Sequence, residues 1–123
     1  MLLAILTDLL KIDEVLMIIK NNAAVSEIKS NSLNIKQKEK WITIGDSDDP
    51  AHIHINTEMI RTAEFIENKK PVCTSFSIQF FDQNHEPVLS AFFTKMYDDD
   101  HLNLERKKIY ENLCQKYGSK IKF

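Results

Sequence analysis

Residues 74–94 read TSFSIQFFDQNHEPVLSAFFT, and two apolar runs in this stretch flank a polar hexapeptide. Side chains of a β-strand alternate between its two faces, so every second residue shares an environment. Alternate positions are apolar in both runs: Phe76, Ile78 and Phe80 in the first, and Leu89, Ala91 and Phe93 in the second. The stretch therefore predicts two paired strands, 74–81 and 88–94, which are joined by a turn and bury one face.

The chain before this hairpin also has the composition of short strands separated by turn residues. The expected strands are 23–29, 33–40, 41–44, 51–55 and 61–67. Gly45 is expected to end the third of these strands, and Asn56 to cap one helical turn after the fourth. So many short strands in succession predict a large antiparallel sheet.

Helical periodicity is confined to the two ends of the chain. Apolar residues recur at helical spacing from Leu2 to Ile19, where Asp13 is expected to cap a second helix that carries Val15 to Ile19. Near the other end, Asp100 is expected to cap a helix that Gly118 terminates. We therefore predict a single α+β domain over 1–123, a large antiparallel sheet with N-terminal and C-terminal helices.

The composition excludes several classes of protein. A net charge of -2 gives no general attraction to nucleic acid or to acidic membranes. With only two glycines, the chain cannot contain a glycine-rich phosphate loop or a G-x-S-x-G elbow. Cys73 and Cys114 are far apart and are expected to be reduced thiols. The apolar start of the chain lacks a basic region and is too short to span a bilayer, which predicts a cytoplasmic protein.

Two segments carry a recognisable order of motifs. The first is VLMIIKNNAAVSE at 15–27, and the second runs through HIHINTE at 52–58, AEFIE at 63–67, TSFSIQFFD at 74–82 and LSAFF at 89–93. In order and spacing they resemble the bacterial haem-utilisation proteins of the HemS/ChuX type. The first segment resembles the part of those proteins in which an apolar helix ends and the next strand begins. The resemblance covers most of the chain.

The resemblance implies a fold, a cofactor and a partner. Long family members contain two such halves and short ones pair as homodimers, so this single half is expected to form a homodimer. The implied function is haem carriage, storage or transfer in the cytoplasm. Some family members degrade haem, but that activity is not carried over, and a non-enzymatic protein is expected.

Three residues are candidates for binding haem. His54 matches the strand histidine of the short members and is the candidate haem-iron ligand, because neutral imidazole is a good ligand for iron. His52 shares its face of the strand, two residues away, so either side chain is a candidate ligand and the pair is a candidate free-metal site. Lys20 matches a basic or histidine position of the family, and is a candidate partner for a haem propionate.

The residues alone leave other interpretations open. His52 and His54 are also compatible with an ordinary polar strand face, and Lys20 with a cation that complements a helix C-terminus. Lys36, Lys38 and Lys40 alternate, as on a solvated sheet edge or a propionate-binding face. Long members carry a haem-ligating histidine in the helix before the first strand, where residues 12–14 have none. Two alternatives therefore remain: an interaction module that has lost haem, and a metal-dependent enzyme that uses His52 and His54.

Overall fold

Eleven strands and two helices make up the fold, which a computed structural model describes for residues 1–123. The helices are α1 (Leu2–Leu10) and α2 (Leu104–Tyr117), and a short 3-10 turn spans Thr57–Met59. The strands are β1 (Val15–Lys20), β2 (Val25–Lys29), β3 (Ile35–Lys38), β4 (Trp41–Ile44), β5 (Ile53–Asn56), β6 (Thr62–Lys69), β7 (Thr74–Phe81), β8 (Pro87–Phe93), β9 (Tyr97–Asp98), β10 (His101–Leu102) and β11 (Lys120–Lys122). Neither helix has the length and apolar composition needed to cross a bilayer.

A six-stranded antiparallel sheet forms the centre of the molecule, in the order β11-β6-β7-β8-β1-β2. The predicted hairpin is confirmed: β7 and β8 pair, with Ile78 opposite Ala91 and Phe80 opposite Leu89. The two edge strands are β2 and β11, and both carry charged side chains that point away from the core, such as Glu27, Lys29 and Lys120. The α+β class with a large antiparallel sheet is confirmed.

A second sheet of three antiparallel strands, β3-β4-β5, lies between β2 and β6 in the sequence. β4 has the predicted boundaries, whereas β3 is shorter than the predicted 33–40 by two residues at each end and β5 begins two residues later than predicted. Asn56 caps that turn, because its side-chain oxygen accepts a hydrogen bond from the backbone N–H of Glu58 at 3.1 Å. Ile42, Ile44, Ile53 and Ile55 are buried on one face of this sheet and belong to the same core as the large sheet. Its other face is therefore turned away from the core.

Both helices supply buried side chains to this single core. Ile5, Leu6 and Leu9 of α1 are fully buried, and they belong to the same apolar cluster as Phe76, Ile78 and Phe80 of β7. The apolar periodicity of the N-terminal segment therefore predicted correctly that α1 packs on the core. On the other face of the large sheet, the apolar residues Leu16, Ile18 and Phe92 are only partly buried, whereas the small polar residues Ser77 and Ser90 are buried.

The prediction of a second helix over Val15 to Ile19 is wrong. α1 ends at Leu10, Glu14 turns the chain with φ 62, and β1 begins at Val15. β1 pairs with β2 on one side and with β8 on the other. A short run in which every residue is apolar has neither the helical nor the strand period. The sequence therefore cannot distinguish a helix from a strand that is apolar on both faces. Lys20 consequently ends a strand, and not a helix.

The start of the C-terminal helix also differs from the prediction. Asp100 lies in the turn between β9 and β10, and Asn103 is the cap of α2. The Asn103 side-chain oxygen accepts hydrogen bonds from the backbone N–H groups of Glu105 and Arg106, each at 3.1 Å. Gly118 follows the helix as predicted, with φ 92. After it, β11 adds a strand beside β6 that the sequence patterns did not predict.

Tyr110 anchors α2 to the middle of the large sheet. Its ring packs edge-on against Phe65, Phe76 and Phe93, with centroid distances of 5.5, 5.3 and 5.1 Å. Its hydroxyl donates a hydrogen bond of 2.8 Å to the backbone carbonyl of Ser77 in β7. Burial raises the pKa of this hydroxyl far above its ordinary value, so it remains a donor. Leu113 is the only other residue of α2 that is buried.

A second contact ties the end of α2 to α1. One carboxylate oxygen of Asp8 accepts hydrogen bonds from the Lys116 ammonium at 2.7 Å and from the Tyr117 hydroxyl at 2.5 Å. Because both donors favour the charged carboxylate, they hold the pKa of Asp8 below its ordinary value. The two helices are thus joined over the same face of the sheet.

Substitution of Tyr110 tests the role of this anchor. Tyr110→Phe leaves the Ser77 carbonyl without its buried donor and is expected to lower the free energy of unfolding by about 1 kcal/mol. Tyr110→Ala also empties the space between three aromatic rings and is expected to cost about 3 to 5 kcal/mol. Urea unfolding followed by circular dichroism measures both, with Lys107→Ala on the same helix as the control. Equal losses for the two variants would contradict a separate contribution from the aromatic packing.

Candidate functional site

The outward face of the small sheet carries two histidines that could bind a metal ion, together with charged, polar and aromatic side chains that could bind a ligand. The register places Lys36, Thr43 and His54 in one row across the three strands, and Lys38, Trp41 and Asn56 in the next. His52 precedes His54 by two residues and belongs to the same face. We call this surface the histidine face: Lys36, Lys38, Trp41, Thr43, His52, His54 and Asn56.

His52 and His54 lie side by side, as their spacing predicted. Their ring centroids are 5.0 Å apart and the rings meet at 70°, edge to face. Both residues are exposed, whereas Ile53 between them is buried in the core. His54 is therefore held on β5, His52 lies immediately before that strand, and both imidazoles are accessible from outside the protein.

Thr43 fixes the orientation of His54. The Thr43 hydroxyl oxygen lies 3.0 Å from Nδ1 of His54, at hydrogen-bond distance. In the tautomer in which Nδ1–H donates to Thr43, the lone pair of Nε2 is free to bind a metal. A hydrogen bond of this kind at the second nitrogen is the usual way in which proteins orient a metal-binding histidine. Thr43 was not a candidate from the sequence, because only the pairing of β4 with β5 places it beside His54.

Gly45 allows the segment that carries His52, immediately before β5, to approach closely. It has φ +84, a conformation that favours glycine. A Cβ at this position would lie 3.1 Å from the carbonyl oxygen of Ala51 and 3.3 Å from Cβ of His52. Any side chain larger than hydrogen would push His52 away. The glycine that the sequence predicted as a strand end thus also sets the position of a candidate ligand.

Lys20 lies on a different surface, the outward face of the large sheet. Here β1, β2, β7 and β8 form a shallow cavity of about 460 Å³, which we call the outer groove. Leu16, Ile18 and Phe92 provide an apolar floor, and Lys20 and Glu27 provide charge. The cavity falls within the usual size range of small-molecule sites. No sequence pattern predicted this groove, although the apolar run of β1 is a signal for it.

The outer groove and the histidine face differ in their chemistry, and each suits a different part of the haem that the family resemblance implies. An apolar floor suits the porphyrin plane, and an ammonium suits a propionate. The groove's nine lining residues include no histidine, cysteine, methionine or tyrosine, so the groove itself offers no ligand to iron. None of them comes from the small sheet. One chain therefore holds Lys20 and the two histidines on separate sheets.

The other potential iron ligands are engaged elsewhere or lie apart. Met96 is buried in the core. The Tyr97 hydroxyl donates to the carbonyl of Thr74 and accepts from its N–H, at 3.2 and 2.8 Å. His85, at the hairpin turn, stacks on Phe81 with ring centroids 4.2 Å apart, and His101 is exposed on β10. The paired, exposed imidazoles of His52 and His54 are the most suitable ligands.

Replacement of Gly45 tests the link between this turn and His52. Gly45→Ala is expected to cost about 1 to 3 kcal/mol in the free energy of unfolding, because alanine is strained at this φ. It is also expected to shift the imidazole resonances of His52 and His54 in two-dimensional NMR spectra. Gly118→Ala is the matched control: φ there is +92, and the nearest atom to an added Cβ is at 3.8 Å. If both variants left the His52 resonances unchanged, the steric role of Gly45 would be refuted.

Comparison with solved structures relates this fold to proteins of known structure. ChuX superposes with a TM-score of 0.77 at 16% sequence identity, over 92% of this chain and 69% of the ChuX chain. PhuS, a haem-binding protein from Pseudomonas aeruginosa, gives 0.69 at 15% identity, over 89% of this chain and 31% of PhuS. ChuS, an E. coli haem oxygenase, gives 0.70 at 15% identity, over 89% of this chain and 34% of ChuS.

The chain thus spans about two thirds of ChuX and about one third of PhuS and ChuS. At these identities the structural matches show the fold. No curated protein sequence matches the chain. A protein-family model matches residues 3–120, almost the whole chain. By this match and by its fold, the chain belongs to the ChuX/HemS-like family of haem-utilisation proteins.

Proposed function

We propose that this protein binds haem in the cytoplasm, as a homodimer, and carries or stores it for the use of haem iron. Membership of the haem-utilisation family supports the proposal, as do the structural matches to the heme-binding proteins ChuX and PhuS. The proposed ligand of the haem iron is His54, with His52 beside it. Lys20 is the proposed partner of a propionate.

One observation carries the assignment of the iron ligand. His54 presents its ring on an open face while Thr43 holds Nδ1 at 3.0 Å. Nε2 is then available to iron in a fixed direction, and a fixed ligand loses little conformational entropy on binding. Neutral imidazole nitrogen is a common axial ligand of haem iron.

The outer groove supports the proposed seat of the porphyrin. Apolar contact with Leu16, Ile18 and Phe92 would supply most of the affinity, because removal of apolar surface from water is favourable. Lys20 lines the same groove, where its ammonium can pair with a carboxylate at the edge of the ring. The groove and Lys20 thus bind the organic part of haem, and the histidine binds the metal.

A homodimer completes this arrangement. The groove lacks an iron ligand and the histidine face lacks an apolar floor, and in one chain they lie on different sheets. A second copy placed over the large sheet can supply the missing imidazole to the groove of the first. It would also cover apolar residues of the outward face that one chain leaves partly exposed, such as Ile18 and Val25. In a two-fold dimer both grooves would be completed in the same way.

Carriage needs only reversible binding, which these residues can provide. Apolar contact, one charge pair and one ligand together hold haem without a change in its covalent structure. The haem oxygenase ChuS shares the fold at 15% identity, which shows the fold and no activity. We propose binding and transfer.

Titration with hemin tests the haem site. The wild-type protein is expected to bind hemin with a shifted Soret band. His54→Ala is expected to change that spectrum because an imidazole ligand is lost. Lys20→Ala is expected to weaken binding about two- to fivefold, as for an exposed ion pair, without altering the spectrum. His101→Ala is the control for loss of an exposed histidine.

Two results would contradict the proposal. Identical spectra for the wild type and His54→Ala would show that His54 is not the ligand. An absence of stoichiometric hemin binding to the wild-type protein would favour the interaction module over the haem carrier.

The dimer has a separate test. Sedimentation velocity is expected to show a dimer of the wild-type chain that hemin stabilises further, because each haem bridges two copies. Ile18→Glu places a charge on the outward face and is expected to give monomers and at least tenfold weaker hemin binding. Leu104→Glu, at an exposed apolar site on α2, is the matched control. A monomeric wild-type protein with full hemin affinity would refute the shared site.

A further inference from the structure

We propose that His52 and His54 form a chelating site for a divalent transition-metal ion, such as zinc or copper(II), that does not require haem. The site is the metal-binding part of the histidine face. It takes one ion per chain and leaves the remaining coordination positions open to water or to a small ligand.

The separation of the two rings matches such a chelate. Metal ions bind imidazole nitrogen at about 2.0 to 2.1 Å, and near-tetrahedral geometry then separates the centres of two rings on one metal by about 5 Å. The centroids of His52 and His54 are 5.0 Å apart. The spacing of the two rings therefore suits one ion that is shared by a nitrogen of each ring.

The backbone of the site is fixed before any metal arrives. His54 lies in β5, and every residue of β5 pairs with a residue of β4. The pairs run from Ile53 opposite Ile44 to Asn56 opposite Trp41. Gly45 holds the His52 segment close on one side, and Thr43 orients the His54 ring on the other. A preorganised pair loses little entropy on binding, which raises the affinity of a site with few ligands.

The ions that suit this site follow from its ligands. Two neutral nitrogens and no carboxylate or thiolate on the histidine face favour ions that prefer imidazole, of which copper(II) binds most tightly and zinc is redox-inert. Magnesium and calcium prefer oxygen ligands and are expected to be excluded. Lys36 lies in the row of His54, and its positive charge limits the affinity.

One consequence rests on the proposed function. If His54 also binds haem iron, then a metal ion held by the pair competes with haem for the same nitrogen. Zinc would lower the apparent haem affinity of the wild-type protein. In His52→Ala the chelate is lost while His54 remains, so zinc would no longer affect haem binding.

Calorimetric titration of zinc into the purified full-length chain tests the site itself. The wild type is expected to bind one equivalent, and His52→Ala and His54→Ala each to bind at least about tenfold more weakly. Thr43→Val keeps the shape of the side chain and is expected to weaken zinc binding about tenfold, as for other hydrogen-bonded partners of metal ligands. His85→Ala and His101→Ala are the controls and are expected to bind as the wild type does.

The outcomes separate this inference from the haem proposal. Wild-type affinity in the His52→Ala/His54→Ala double variant, or no zinc binding by the wild type, overturns the metal site, whatever the hemin titration shows. Loss of zinc binding in both single variants supports it. If zinc binds at the pair but hemin affinity is unchanged by zinc, the metal site stands and His54 is not the haem ligand.

Discussion

The hydrogen bond from the Tyr110 hydroxyl to the Ser77 carbonyl fixes α2 against the middle of the large sheet, together with three surrounding aromatic rings. α2 buries only Tyr110 and Leu113, so its docking depends on few side chains. Asp8 of α1 accepts hydrogen bonds from Lys116 and Tyr117 of α2, and buried residues of both helices pack in the same core on one face of the sheet. This arrangement closes the core on one side and leaves the other face of the sheet open, with its apolar groove.

The uncovered face of the large sheet accounts for the apolar character of both faces of β1, and it is the surface on which the proposed function depends. β1 is apolar on both faces: Val15 and Met17 point into the core, while Leu16 and Ile18 form the floor of the outer groove. A strand of this kind is typical of a sheet that is covered on both sides. We propose that a flat ligand and a second copy of the chain cover the outward face of the sheet in this protein.

Particular residues show how far the sequence alone could lead. The β7–β8 hairpin and β4 were predicted almost to the residue, because alternation and turn residues agree there. β1 was predicted as a helix because its apolar run carries no period. Asp100 is the predicted cap and Asn103 the observed one, since several residues of similar capping tendency adjoin the helix. The adjacency of His52 and His54 follows from strand parity. Their relation to Thr43 and Gly45, and the separation of Lys20, depend on pairing between strands that are distant in sequence.

The charged edges of the large sheet limit the ways in which copies of this chain can associate. β2 and β11 end the sheet with Glu27, Lys29, Lys120 and Lys122, and charged side chains along an open edge oppose the addition of another strand. Growth of the sheet sideways into long polymers is thereby disfavoured. Contact through the faces remains, and a two-fold contact of that kind is complete after two molecules. The polar margin of the sheet thus favours a closed particle of defined size over an open-ended fibre.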